Sequence, residues 1–346
     1  INATSGVING GAITLSGALS NAGTYSGGSG AVTFGSSFTN TGSYSAGSAT
    51  TTLIGNFSNS GTLTAGTGAW IFSGSSAQSL TGATGFNNLT LNNAAGLTLN
   101  NDVTVSGTLT LTSGTFSVGA HTLTLNGPSI AGTPANLSAT SSSSLSFGGS
   151  STGVTVPANV TALNNLTVNN TNGVTLGGSS VTTTLSGTLA LDANTLTTGT
   201  NTLTLAGNCT SGGGNGSLTR TSGYVVGNLK LTFPAGNSAC IYHVGDSIGY
   251  SPVTVNIAVS VAGTLSGRAD AYDHPDTLAG ASGIDETKSA NHYWTLTAGT
   301  LTTTGYSATF RFCANSASCT ATEVDTGANT GSFIVAQKNA GIWSTK

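Results

Sequence analysis

Residues 12–30 read AITLSGALSNAGTYSGGSG, residues 31–49 read AVTFGSSFTNTGSYSAGSA, and residues 50–68 read TTTLIGNFSNSGTLTAGTG. The three stretches align without a gap at a period of 19, and a fourth copy starts at 69 (AWIFSGSS) before diverging. Leu15, Phe34, Leu53 and Phe72 share one column, Leu19, Phe38 and Phe57 a second, and Tyr25, Tyr44 and Leu63 a third. These read as inward positions, each stacking on its own kind one turn away. Asn21, Asn40 and Asn59 form a file whose side-chain amides are expected to hydrogen-bond up the stack. Gly23, Gly42 and Gly61 follow two residues later, where a sharp corner would favour glycine for its access to positive φ.

A second repeat runs at larger scale. FNNLTLNNAAGLTL (86–99) matches LNNLTVNNTNGVTL (163–176), and SGTLTLTSGTFSVGAHTLTLNG (106–127) matches SGTLALDANTLTTGTNTLTLAG (186–207). Within each unit, short alternating runs come three to a turn. One turn holds Leu89/Leu91, Leu97/Leu99 and Val103/Val105, and the next holds Leu109/Leu111, Phe116/Val118 and Leu123/Leu125. A period of two places Leu and Val inside and Thr outside. No long 3.6-residue periodicity competes with it. The sequence therefore predicts an all-β chain that opens with a parallel β-solenoid, three short strands per turn of 19–20 residues. At roughly 4.8 Å per turn, about ten turns make a rod on the order of 50 Å long. The less regular stretch 128–163 keeps Leu145/Phe147 and Val154/Val156 and is read as degenerate turns.

Composition sets the domain organisation. Of 346 residues 51 are glycine, and 7 basic plus 10 acidic residues make only 17 charged ones. Residues 1–207 carry just Asp102 and Asp192 of these, and all four cysteines lie later. The expected division is a solenoid over 1–207, a linker over 208–216 and a β-sandwich of roughly seven strands over 217–346. Its longer alternating runs include Leu229–Phe233, Val253–Val261 and Ala308–Phe312. A formal charge of −3 argues against nucleic acid as a partner, and no apolar run approaches the ~18 residues of a membrane span. The chain starts at Ile1 and holds no Met, as expected of a mature chain or a fragment.

The phrases NNLTLNN, GTLTLTSG and HTLTLNG resemble the repeats of bacterial secreted and surface β-solenoid proteins, such as filamentous-haemagglutinin-like adhesins and autotransporter passengers. YHVGDSIGYSPVTV (242–255), HYWTLT (292–297) and Trp343 resemble a small β-domain attached to such repeats. The resemblance implies a scaffold without a shared catalytic motif. It also implies a last sandwich strand beyond Lys346.

The search for chemistry finds little. Asp102 and Asp192 do not align in the repeat, so the solenoid lacks the paired carboxylates of a glycosidase or a lyase-type metal site. His121 stands where the second unit has Asn201 and is read as an outward turn residue. The densest acidic stretch, ADAYDHPD (269–276), holds Asp270, Asp273, His274 and Asp276, with Asp285 and Glu286 beyond. Such oxygen ligands suit Ca²⁺, but the spacing is not that of an EF-hand, and a solvated loop is the simpler reading. His292-Tyr293-Trp294 resembles a sugar-stacking platform, yet alternation turns one ring of the pair inward as core. No CxxC spacing points to zinc. Cys313 and Cys319 bracket a short loop between hairpin strands, which leaves Cys209 for Cys240; two disulfides place the chain outside the reducing cytosol. Nine Asn-x-Ser/Thr sequons, including Asn88, Asn136, Asn165 and Asn208, are what chance gives in an Asn/Thr-rich repeat.

The expected function is therefore not enzymatic and needs no cofactor or metal. It is that of a structural subunit of an extracellular filament or surface layer, assembling with copies of itself head to tail through solenoid ends and strand addition. The alternative is a cell-surface adhesin whose C-terminal β-domain binds glycans. Ice binding needs flat parallel files of threonine; Thr14, Thr33 and Thr52 form one, but no second file flanks it.

Overall fold

The computed structural model describes the backbone of residues 2–8 and residues 11–207, 209, 217–277, 282–313 and 319–345. The chain is all-β, about 2% helical, and winds a parallel β-solenoid of about 11 turns, with antiparallel sheets toward the C-terminus. It divides into two compact units, Ile1–Leu196 with Thr221–Gly223, and Thr197–Arg220 with Tyr224–Lys346. The division thus lies at 196/197, before the step in charge after 207. Thr198 Oγ1 accepts from Asn228 N at 2.8 Å, and Thr232 Oγ1 donates to the carbonyl of Leu205 at 3.1 Å. The strand Thr195–Leu205 continues the repeat in sequence while pairing with Tyr224–Phe233.

In the first unit the short strands of successive turns stack in parallel sheets. One face stacks Ile13–Leu15, Val32–Phe34, Thr51–Leu53, Ala69–Phe72, Asn88–Asn92, Leu109–Ser113 and Ala131–Gly132. The apolar columns read from the sequence are the pairing register. Leu15 pairs with Phe34 and Phe34 with Leu53, while Leu53 meets Phe72 one turn on. Leu19, Phe38 and Phe57 stack likewise, as do Tyr25, Tyr44 and Leu63. Later turns obey the same rule. Leu89 pairs with Leu109, Leu97 with Phe116 and Val103 with Leu123. Leu145 and Phe147 pair with Leu166 and Val168, so the irregular stretch keeps its turns. Aromatic rings fill the early core. Tyr25 and Tyr44 stack at 4.7 Å, and Phe38 and Phe57 at 5.1 Å.

Three details differ from the sequence reading. First, the corner glycines Gly42 and Gly61 are absent from the residues with positive φ. Their constraint is steric: a Cβ on Gly42 would lie 2.1 Å from the carbonyl oxygen of Gly23, and one on Gly61 2.0 Å from that of Gly42. The turns stack too closely there for any side chain. Second, the asparagine file does not extend into the first strand, Asn2–Ile8, where Ala3 pairs with Asn21 and the register shifts between Ala3 and Ser5. Third, the fourth copy diverges because Trp70 takes an inward position. Its indole Nε1 donates to the carbonyl of Ala65 at 2.9 Å, and its ring packs on Phe57, Tyr44 and Phe86. In the strand Gln78–Thr81 the asparagine file ends, since Thr81 pairs with Ser58 and the next position is Gly82, and Gln78 brings a different amide into the core. It donates to the carbonyls of Leu53 and Gly55 and accepts from Gly74 N and Asn93 Nδ2. The threonine file 14-33-52 meets Ile71 at that same turn.

Among the described residues the second unit holds two three-stranded antiparallel arrays. One contains Tyr224–Phe233, Gly263–Ala271 and His292–Ala298; the other contains Gly236–Tyr242, Val253–Val261 and Thr302–Phe310. Their inner faces meet. A Cβ on Gly267 would sit 2.6 Å from the Tyr242 ring, the Tyr242 hydroxyl donates to the Leu265 carbonyl at 2.7 Å, and Trp294 packs on Phe310 at 5.0 Å. Trp294 is thus the core ring of its pair. A terminal hairpin joins Ala336–Asn339 to Ile342–Thr345, which carries Trp343.

Candidate functional site

The structural candidates of the first unit are its ladders. Asn21 Nδ2 donates to Asn40 Oδ1 at 2.8 Å, and Asn40 Nδ2 to Asn59 Oδ1 at 2.7 Å. The two ionised side chains of this unit serve local geometry. Asp102 Oδ1 accepts from the backbone N of Thr122 at 2.8 Å, with His121 Nδ1 3.9 Å away. Asp192 Oδ1 accepts from the Thr221 hydroxyl, and the Asp192 backbone carbonyl from the Ser222 hydroxyl. They lie in different turns and do not converge.

The acidic stretch 269–276 also disperses its carboxylates. Asp270 pairs with Arg268, Asp273 accepts from the Ser289 hydroxyl, and Asp276 pairs with Lys338. Asp285 turns back on Thr287, accepting from its N and Oγ1. Among the described residues no three His, Cys, Asp or Glu side chains converge on a metal position.

The cysteines lie in two pairs. Cys209 and Cys240 are bonded across a Cα separation of 5.7 Å, and Cys313 and Cys319 across 5.1 Å. Both separations suit an unforced bridge. The loop between Cys313 and Cys319 and the sequon residue Asn208 lie outside the described residues. Two bridges suit an oxidising compartment. Among the described residues no helix is long and apolar enough to cross a membrane.

Sequence reasoning missed a buried polar node in the second unit. His292 Nδ1 lies 2.7 Å from Asp246 Oδ2 and 3.3 Å from Ser251 Oγ. Asp246 Oδ1 accepts from the backbone N–H of Ile248 and Gly249, the turn in GDSIG. Burial pushes the Asp246 carboxyl up, but hydrogen bonds from His292 and those two N–H groups outweigh it and hold the carboxyl below its usual range. Serine, histidine and aspartate in one cluster suggest a hydrolase triad. There the carboxylate binds one imidazole nitrogen and the serine the other. Here both face Nδ1, and the node is buried. It fixes the strand His292–Ala298 against the 246–251 turn, helped by Trp294 Nε1 donating to the Ser251 carbonyl at 2.8 Å. The Asx turn GDS was its only sequence signal. Beside it, His243 Nδ1 meets the Tyr250 hydroxyl at 2.5 Å, and the Arg220 guanidinium lies 3.7 Å over the Tyr250 ring. Burial, aided by Arg220, lowers the His243 pKa to about 4.

The remaining feature is an edge. Thr302–Phe310 closes one side of its three-stranded sheet, and most of its residues are exposed, Tyr306 among them. No Asp, Glu, Lys or Arg occurs from Ser289 to Phe310. Compared with known proteins, the chain matches no family, no curated sequence and no solved structure.

Proposed function

We propose that the chain is a non-catalytic structural subunit of an extracellular filament or surface layer, built by copies of itself joined head to tail through solenoid ends and by strand addition. The observation that carries the reading is the edge strand Thr302–Phe310. It is nine residues long, uncharged, free of proline and exposed. Soluble β-proteins normally blunt such edges with lysine, proline or bulges, because unpaired N–H and C=O groups recruit another strand; here the register shifts fall at the Thr302–Thr303 end, and Gly305–Phe310 runs in regular register with Val253–Ala258. Backbone hydrogen bonds then supply the affinity of strand addition. The solenoid supports the same reading, since stacking identical side chains turn on turn is already its own mode of cohesion. A contact between two different surfaces, repeated, makes an open filament unless its rotation closes a ring. The paired cysteines favour an extracellular or cell-surface location.

Sedimentation and electron microscopy of the purified chain over a wide concentration range test the proposal. Fibres or a growing series of oligomers are expected, and Tyr306→Lys, which places a charge on the edge, should suppress them. A chain that stays monomeric at high concentration overturns it.

A further inference from the structure

Between the strands Gly263–Ala271 and His292–Ala298, Ala269 pairs with Trp294 and both turn inward, Ala269 buried and Trp294 against Phe310. Alternation then sends Arg268, Asp270, Tyr293 and Thr295 to the outward face. Asp270 lies directly opposite Tyr293, and Arg268 opposite Thr295. Arg268 grips Asp270 through Nε, 3.0 and 2.8 Å from the two carboxylate oxygens, and through Nη2. Its side chain remains 41% exposed, with Nη1 outside the pair. At the end of this face His274 packs edge-on against Tyr293 at 4.9 Å and against Trp343 at 5.3 Å. The backbone N–H of Asp276 donates to His274 Nδ1 at 3.1 Å, which places the ring proton on Nε2 as a donor. Burial and the nearby Lys338 lower the His274 pKa and favour that neutral ring. Asp276 in turn pairs with Lys338. Tyr272, between Asp270 and His274 in the chain, is 68% exposed at a left-handed φ of 68°. A non-glycine residue holds that conformation at a cost, and such outliers gather at functional sites.

These groups share one chemistry. Aromatic faces cover the apolar C–H faces of a pyranose, while a planar guanidinium, a carboxylate and an imidazole N–H meet its hydroxyls in fixed directions. The cations Arg268 and Lys338 are matched by Asp270 and Asp276, and Asp273 adds a further carboxylate, so the patch has no excess of positive charge. Nucleic acids and anionic polysaccharides need an excess of cations. We propose that this face binds a neutral polysaccharide, its pyranose rings stacking on Tyr272 and Tyr293 and its hydroxyls reaching Arg268, Asp270 and His274. The proposal does not rest on filament assembly, since a monomer presents the same face.

Affinity electrophoresis of the full chain in gels containing a β-glucan, galactomannan, xylan or dextran tests it, with a glycan array for breadth. At least one neutral polysaccharide should retard the wild-type chain. Tyr272→Ala, an exposed position, and Arg268→Ala should each weaken retardation tenfold or more. Ile54→Ala, an exposed position in the first unit, should leave it unchanged. Circular dichroism melts show whether each variant folds, and Arg268→Lys gives a milder change at the same place. Binding to none of these polymers, binding to anionic polymers alone, or retardation indifferent to Tyr272 and Arg268 would each overturn the assignment.

Discussion

Asn40 donates from Nδ2 to Oδ1 of Asn59 across 2.7 Å, linking two residues 19 apart in sequence and one turn apart in space. The same nitrogen donates to the carbonyl of Thr62 at 3.0 Å, and Asn40 Oδ1 accepts from Asn21. A buried amide thus meets three partners in a core otherwise lined by Leu, Phe and Tyr. Replacing it by leucine takes a partner from each of these groups and leaves the buried Asn59 Oδ1 without one, while Asn21 Nδ2 keeps the carbonyl of Ser43. A buried polar group left unpaired costs about 1–3 kcal/mol, so Asn40→Leu is expected to destabilise the early turns by about that much although the new side chain is more apolar. Hydrogen exchange should then quicken at residues 21–62 and stay slow at residues 97–125. Unchanged protection at 21–62 would show that the ladder contributes nothing to holding these turns.

Phe34 is 1% exposed and pairs with Leu15 below and Leu53 above. Truncation to alanine leaves a cavity whose cost is about 3–5 kcal/mol, and Phe34→Asp buries an unpaired charge and should unfold the turns around it. Ile54, exposed at the end of its strand, is the internal control, with Ile54→Ala expected within about 0.5 kcal/mol. Urea titrations of the three variants decide this by their midpoints.

Gly42→Ala separates two explanations of a recurring glycine. If conformation alone mattered, alanine would be tolerated or slightly stabilising at a φ open to all residues. Because the added Cβ would fall 2.1 Å from the Gly23 carbonyl oxygen, the turns must part. A loss of about 1–3 kcal/mol is expected, the range of overpacked cores. A variant as stable as the parent would refute the steric account.

Cys209 and Cys240 are separated by 31 residues. Loop entropy for that length gives roughly 3–4 kcal/mol, in a model-dependent account. The double variant Cys209→Ala/Cys240→Ala should lower the melting temperature of the second unit. The short loop closed by Cys313–Cys319 constrains far less chain, so Cys313→Ala/Cys319→Ala should cost less. Equal losses in the two variants would argue against loop entropy as the cause.

The solenoid was legible because its stabilising contacts repeat at a fixed sequence distance. Leu15, Phe34 and Leu53 are neighbours in space because they are equivalent in sequence, so a column of letters is a column of side chains. The second unit offers no such redundancy. Asp246 and His292 lie 46 residues apart and meet once, which no period announces. Arg268, Tyr293 and Trp343 likewise gather from separate strands, and only strand pairing brings Asp270 opposite Tyr293. The compact units divide at 196/197 and the step in charge falls after 207, so the two mark different things: charge marks where the surface changes, the units where the chain packs.

The pH response of the second unit follows from His243. Its pKa is about 4 in the folded chain against 6.5 for an unperturbed histidine, first through burial and then through the Arg220 guanidinium. As pH falls, the unfolded chain takes up this proton before the folded one. The neutral ring therefore contributes its full stability above pH 6.5, and that contribution drains away as the pH drops toward 4. Asp246 acts in a lower window, since its depressed carboxyl loses stability only as the pH falls below 3.8. The urea midpoint of the second unit, followed by the fluorescence of Trp294 in a Trp70→Phe/Trp343→Phe background, should thus fall between pH 7 and pH 4.5, above the window of Asp246. His243→Gln keeps a polar group facing the Tyr250 hydroxyl and removes the titration. The variant should start less stable at pH 7 and lose less over the same interval. A wild-type midpoint that is flat from pH 7 to 4.5, or a variant with the same slope, would show that His243 does not carry the response.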